Sequence, residues 1–275
     1  MKRIILLGVT TIGLALSSCS TVPLTGRSRL NLVSNEQVLP MAFQAYSEFL
    51  SENKSVVLPS SNAQAQRVKN VGNRLITSVK NYMNNNGHAD LIKDYKWEVN
   101  VVQSKDLNAW CMPGGKIVVY TGILPVTQDD AGLATVIGHE IAHAIAGHSA
   151  ERMSQEMVAQ GAGAIGNVAL SNNPKTQSIF NTLYGVGTPL AMLSYGRSHE
   201  LEADRLGLIF MSMAGYNPQN ATAFWQRMAA ASSGSQKPPE FLSTHPSDAT
   251  RIAQIQKYLP EAQRYYNSPS GRPIK

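Results

Sequence analysis

His139-Glu140-Ile141-Ala142-His143 is the stretch that decides how this 275-residue chain is read. Residues four apart on a helix differ by about 40° of rotation, so two imidazoles at this spacing leave one face a turn apart and can reach one ion. Glu140 stands about 100° round from His139, beside such an ion and not on it, where a carboxylate can take a proton from an activated water. The flanking Ala134, Val136, Ile137, Ile141, Ala142, Ala144 and Ile145 are apolar. Polar groups in that surround are largely buried, and burial without partners is costly. That argues against two histidines placed by coincidence on an amphipathic helix.

A catalytic zinc takes three protein ligands and keeps a fourth position open. The metzincin spacing would put a third histidine at position 149, which is Ser149, and a glycine at 146, which is Ala146. His148 is one residue out of register and reads as a helix-end histidine, favoured there by the dipole. The other candidate lies in Glu200-Leu201-Glu202-Ala203-Asp204, where Glu200 and Asp204 are again four apart. Glu200 could bind the metal while Asp204 accepts from the free ring nitrogen of a ligating histidine. Glu202 points roughly 200° away from Glu200 and reads as solvated or ion-paired, and His199 reads as structural.

Working outward, Ser34-Asn35-Glu36-Gln37 has the form of a capping box and predicts a helix over about 35–51. Val68, Val71, Leu75, Ile76 and Val79 predict a second helix, closed by Asn84-Asn85-Asn86-Gly87, and the two helices are expected to cover one side of a sheet. Alternation over Tyr95–Val102 predicts a strand. Two more are expected at Leu107–Met112 and Lys116–Tyr120, joined through Pro113-Gly114-Gly115. From Gln128 the pattern turns helical, runs through the histidine motif, and stays helical. The expected fold class is therefore α+β: a mainly helical domain over residues 35–260 with a small mixed or antiparallel sheet, followed by a flexible basic tail over 261–275. The apolar stretches 157–170 and 179–196 are interrupted by polar residues or proline and read as core or site-flanking helices, with a movable cover as a weaker reading.

Met1-Lys2-Arg3 followed by the apolar run Ile4–Leu16 makes residues 1–18 an export signal. Leu16-Ser17-Ser18-Cys19 resembles the bacterial lipobox, which implies a lipid on Cys19. With Pro23, Gly26 and several hydroxyl residues, the stretch over residues 19–34 reads as a flexible tether, and the expected location is the outer membrane, facing the periplasm. Cys111 is then the remaining cysteine, leaving no intramolecular disulfide, and it is expected to be buried and inert. Losing residues 1–18 removes Lys2 and Arg3 and no acid, which lowers the formal charge from +6 to +4. No basic and aromatic stripe argues for nucleic acid.

The chain resembles the gluzincin peptidases, the family that includes the CAAX prenyl endopeptidase, the heat-shock protease HtpX and the mitochondrial inner-membrane overlapping-activity protease. The likeness rests on His139–His143 and on the Glu200–Asp204 pattern. It extends to Asn108-Ala109-Trp110 with Lys116–Gly122, and to Ser243-Thr244-His245-Pro246. It implies an endopeptidase holding one zinc per chain through His139, His143 and Glu200, with Glu140 as general base. It also implies a zincin-type domain whose edge strand around Asn108, Ala109 and Trp110 pairs with substrate. His245, which by itself reads as a turn histidine, is implied to lie near the metal, in the fourth position or on the oxyanion. Within the family the chain is similar to the β-barrel assembly-enhancing protease without its helical-repeat domain, and unlike HtpX in lacking transmembrane helices. The expected clients are unfolded or misassembled envelope proteins, with outer-membrane assembly machinery as a partner. Two alternatives are a non-cleaving holdase with a retained zinc site, which would need no base at Glu140, and a scaffold docking through 157–196.

Overall fold

The computed structural model describes residues 19–159, 174–184, 195–232, 240–245, 249–266, 268 and 272–273. The expected export signal and most of the 157–170 and 179–196 segments lie outside these residues. In chain order the elements are β1 (Cys19–Thr21), β2 (Ser28–Leu30), α1 (Asn35–Glu52), α2 (Ala63–Asn85), β3 (Glu98–Val102), β4 (Ala109–Met112) and β5 (Lys116–Tyr120). Then come α3 (Leu124–Thr127), α4 (Asp130–Ala146), α5 (His148–Ala159), α6 (Pro174–Tyr184), α7 (Arg197–Met213), α8 (Asn220–Ser232), α9 (Glu240–Thr244) and α10 (Ala249–Gln263).

The three-stranded sheet has the order β3-β5-β4, with β3 parallel to β5 and β4 antiparallel to it, so it is mixed. Successive side chains of a strand face opposite sides, and here both sides are covered. Val99, Val101, Ala109, Cys111, Ile117 and Val119 join the core of α2, α4 and α7. Val102, Trp110, Met112 and Val118 join a second core with α1, α5 and α6. The expectation that α1 and α2 share one side is thus corrected: they cover opposite faces, because every residue of β4 is buried and the sheet needs a cover on each side. Strand β3 begins at Glu98 and not at Tyr95; ahead of it the N–H of Lys96 is taken by the carbonyl of Gly114 at the turn before β5.

Residues 19–34, expected as a tether, instead form an antiparallel ribbon laid on the domain, with Cys19 opposite Leu30 and both Val22 and Val33 buried. Arg27 and Arg29 fasten it, Arg27 to the carboxylates of Glu151 and Glu202 and Arg29 to the carbonyl of Ala146. The expected tail also begins too early. Glu261 pairs with Arg205 at 2.7 Å and Ala262 is fully buried, so α10 belongs to the core through Gln263. Among the described residues no helix is long and apolar enough to cross a membrane.

Candidate metal centre

Helix α4 carries the motif and is held at both ends. Asp129 accepts from the N–H of Gly132 at 2.7 Å, and Gly147 closes the helix at φ +66°, where a Cβ would also overlap the guanidinium of Arg29. Helix α7 crosses α4 at a pair of glycines. A Cβ on Gly207 would lie 2.9 Å from the backbone nitrogen of His139, and one on Gly138 would lie 3.0 Å from the carbonyl oxygen of Gly207. That close approach brings the carboxylates of α7 within reach of the imidazoles of α4.

Nε2 of His139 and Nε2 of His143 stand 3.0 Å apart, and the Glu200 oxygens lie 3.5 Å and 3.4 Å from them. Nδ1 of His245, at the C-terminal end of α9, is 3.2 Å from Nε2 of His139 and 3.0 Å from Glu200. Donor atoms of these four buried residues all lie within 4.8 Å of one another. Ligands about 2.0–2.1 Å from a tetrahedral zinc stand roughly 3.3–3.4 Å apart, so the spacings suit such an ion. Charge agrees: Glu200 and Asp204 outnumber the one guanidinium of Arg251 that faces them, so an added cation meets favourable charge. The two motif histidines differ: burial holds His143 well below the usual histidine range, whereas for His139 the hydrogen bonds to Asp204 and Glu200 outweigh burial and raise it.

Asp204 reaches Nδ1 of His139 at 2.9 Å, so the carboxylate expected to orient a ligand is on that histidine. Arg251 was not foreseen in the sequence. It is buried, bonded to both oxygens of Asp204 at 2.7 Å and 2.8 Å and to Glu200 at 3.0 Å, and it lies over Trp225 at 3.7 Å from the ring centroid. The signal for it was indirect: two buried carboxylates four apart on one helix face call for a buried cation. Burial alone would raise both acids, but His245 and Arg251 outweigh it for Glu200, and Arg251 and His139 for Asp204, so both stay below the usual carboxylate range.

Glu140 behaves in the opposite way. Burial pushes its carboxyl up to about 7, against the opposing pull of His245. It accepts a hydrogen bond from the backbone of Cys111, while its Oε1 has no hydrogen-bond partner and stands 3.4 Å from Nε2 of His245. A buried carboxylate oxygen left open in this way is a proton acceptor awaiting a reactant.

Register decides which part of β4 can meet a substrate. Asn108 accepts from Tyr120 across the ladder, so by alternation Trp110 and Met112 also turn their backbone groups toward β5, and Ala109 and Cys111 turn theirs away from it. Of the expected trio, Ala109 alone presents the edge. Asn108 folds back on the N–H of Ala109, and Trp110 packs its ring against Phe49 and Tyr46. Cys111 is free, buried, and pushed well above the usual thiol range by burial.

The remaining candidates fall behind the site. Ser149 bonds to the hydroxyl of Tyr195, whose ring stacks on His143 at 4.0 Å. His148 and Glu202, expected at a helix end and in solvent or an ion pair, are both buried and bonded to each other. His199 pairs with Glu151 at 3.1 Å.

Residues 62–259, which span α2 to α10, match peptidase family M48. The chain belongs to that family. It is accordingly a zinc metalloendopeptidase, and His139, His143, Glu200 and His245 are the residues placed to hold the ion. The mitochondrial metalloendopeptidase OMA1 of Schizosaccharomyces pombe is 37% identical over 242 residues, covering 88% of this chain and 67% of the relative. The human mitochondrial metalloendopeptidase OMA1 is 31% identical over 246 residues, 87% of this chain and 46% of the relative. The β-barrel assembly-enhancing protease of Escherichia coli is 26% identical over 240 residues, 86% of this chain and 46% of the relative.

These names overturn one expectation. A lipid-anchored location facing the periplasm was read from residues 1–19, yet the relatives at 30% identity or more are named as mitochondrial. The physical reason is that a basic start, an apolar run and hydroxyl residues without an acid are common to several targeting segments. Residues 1–18 contain no Asp or Glu, so their composition fits more than one destination.

Proposed function

We propose that this metallopeptidase cuts unfolded or misassembled proteins in a quality-control role. Support comes from the edge of β4, where Ala109 and Cys111 turn their backbone groups away from β5; a segment pairing there takes the place of Asn108 on the N–H of Ala109 and of Glu140 on that of Cys111, and so lies beside the general base. Main-chain pairing there binds any extended segment with little choice of sequence, which suits unfolded clients. The E. coli relative, a β-barrel assembly-enhancing protease, points to the same class of work.

Zinc, when bound, supplies a Lewis acid that polarises the scissile carbonyl and lowers the pKa of water. The protein's part is proton handling and orientation. Glu140, with a carboxyl pushed up to about 7 and Oε1 open, accepts the proton of the attacking water and returns it to the leaving amine. Asp204 and Arg251 hold His139 and Glu200 in place.

The open carboxylate of Glu140 carries this reading over a non-cleaving holdase. Glu140→Gln is expected to lower casein cleavage about 10²–10⁴-fold at unchanged zinc content. Equal absence of cleavage in wild type and variant would support the holdase instead. We propose further that His245 covers the fourth metal position at rest. His245→Ala should then raise basal peptide cleavage or lower the maximal rate, and a variant with both unchanged would remove that role.

A further inference from the structure

The two histidine ligands are supported differently. Nδ1 of His139 meets a carboxylate directly, on Asp204. Nδ1 of His143 lies 2.8 Å from Nδ1 of His148, and Nε2 of His148 lies 3.0 Å from Oε2 of Glu202. That oxygen also receives Nε of Arg27 at 2.7 Å, and Oε1 of Glu202 receives the hydroxyl of Thr25. The two terminal nitrogens of Arg27 take both oxygens of Glu151, at 2.8 Å and 2.7 Å. His143, His148 and Glu202 are buried, whereas Arg27 belongs to the N-terminal ribbon.

Proton bookkeeping gives this row one polarity. An imidazole that offers the lone pair of Nε2 to a metal carries its proton on Nδ1, and a buried N–H needs an acceptor. For His143 that acceptor is Nδ1 of His148. His148 then carries its own proton on Nε2, facing Glu202, which as a carboxylate can only accept. One arrangement of protons satisfies all three groups. The cluster of His148, His199, Glu151 and Glu202 is not a second metal site, because Arg27 already lies between its two carboxylates.

We propose that His148 and Glu202 are positioning residues for His143, doing through an extra imidazole what Asp204 does directly for His139, and that Arg27 of the N-terminal ribbon anchors the far end of this chain. The ribbon thereby contributes to metal retention through a contact between residues 175 apart in sequence.

The inference rests on the zinc site assigned above, and competition of the full chain with a chelator tests both. Outer partners of metal-bound histidines contribute about 10–100-fold to metal affinity, so His148→Phe is expected to lose that much and His148→Asn, which restores an acceptor, to regain part of it. Arg27→Gln and Glu202→Gln should each lose roughly tenfold or less, and they carry the test if His148→Phe does not fold. Glu151→Gln cuts the other arm of Arg27 and leaves the row intact, so it should hold zinc like wild type. With Co2+ in place of zinc, the visible spectrum should shift in His148→Phe and stay unchanged in Glu151→Gln. Unchanged zinc affinity and spectrum in His148→Phe, or an equal loss in Glu151→Gln, would overturn the proposal alone. A wild type that takes up no zinc would overturn the zinc assignment as well.

Discussion

Glu140 is the residue whose environment and task differ most. With its carboxyl raised by burial to about 7 from an ordinary 4.5, the folded chain without metal holds more protons than the unfolded chain between those values. Stability of the metal-free protein therefore falls as pH rises through that window, and the loss is complete above about 7. Relative to wild type, Glu140→Gln should show no gain below pH 4.5 and a gain on the order of 3 kcal/mol above pH 7. Denaturant titrations of both zinc-free proteins at several pH values measure that difference, and a flat one would mean that the carboxylate is solvated. At this scale the sequence was informative where spacing along one helix settles geometry, as for His139 with His143 and Glu200 with Asp204. It was silent on Arg251, whose partner Asp204 lies 47 residues earlier, and resemblance alone pointed to His245.

Among the elements, the crossing of α4 and α7 matters most to the site. Helix α4 was legible from its acidic start and apolar spacing, which are local signals, and α7 only as part of a helical run after it. The reason they touch was not, because it depends on Gly138 meeting Gly207. Gly207→Ala would press a methyl against the backbone of His139 and force the helices apart, at a cost of about 1–3 kcal/mol. Since Glu200 and Asp204 ride on α7, zinc affinity should fall along with stability. Parallel chelator competition and thermal unfolding would show the two losses together, and a full-affinity variant would show that the contact does not set the site. The sheet was legible in the same partial way. Alternation located its strands, but parallel pairing of β3 with β5 is a long-range choice, and so is the division of α1 and α2 between its faces.

For the whole molecule, the family match begins at residue 62, yet the ribbon over residues 19–34 already packs on the domain. A chain starting at residue 35, where the sequence suggested the domain begins, would leave Glu151 and Glu202 buried without Arg27. Removing one partner of such pairs is destabilising, less so here because Arg27 is partly exposed, and a fall in Tm of roughly 5 °C relative to a chain starting at residue 19 is expected. Scanning calorimetry of the two lengths, each loaded with zinc, measures it.

The distance in sequence between Arg27 and Glu202, 175 residues, has a bearing on birth as well as on balance. A ribosome releases the ribbon near the beginning of synthesis and its carboxylate partner near the end, so the ribbon waits undocked while the rest of the domain emerges. The support behind His143 is thus completed late in translation. A chain that ends before Glu202 therefore carries both histidines of the motif without the support behind His143.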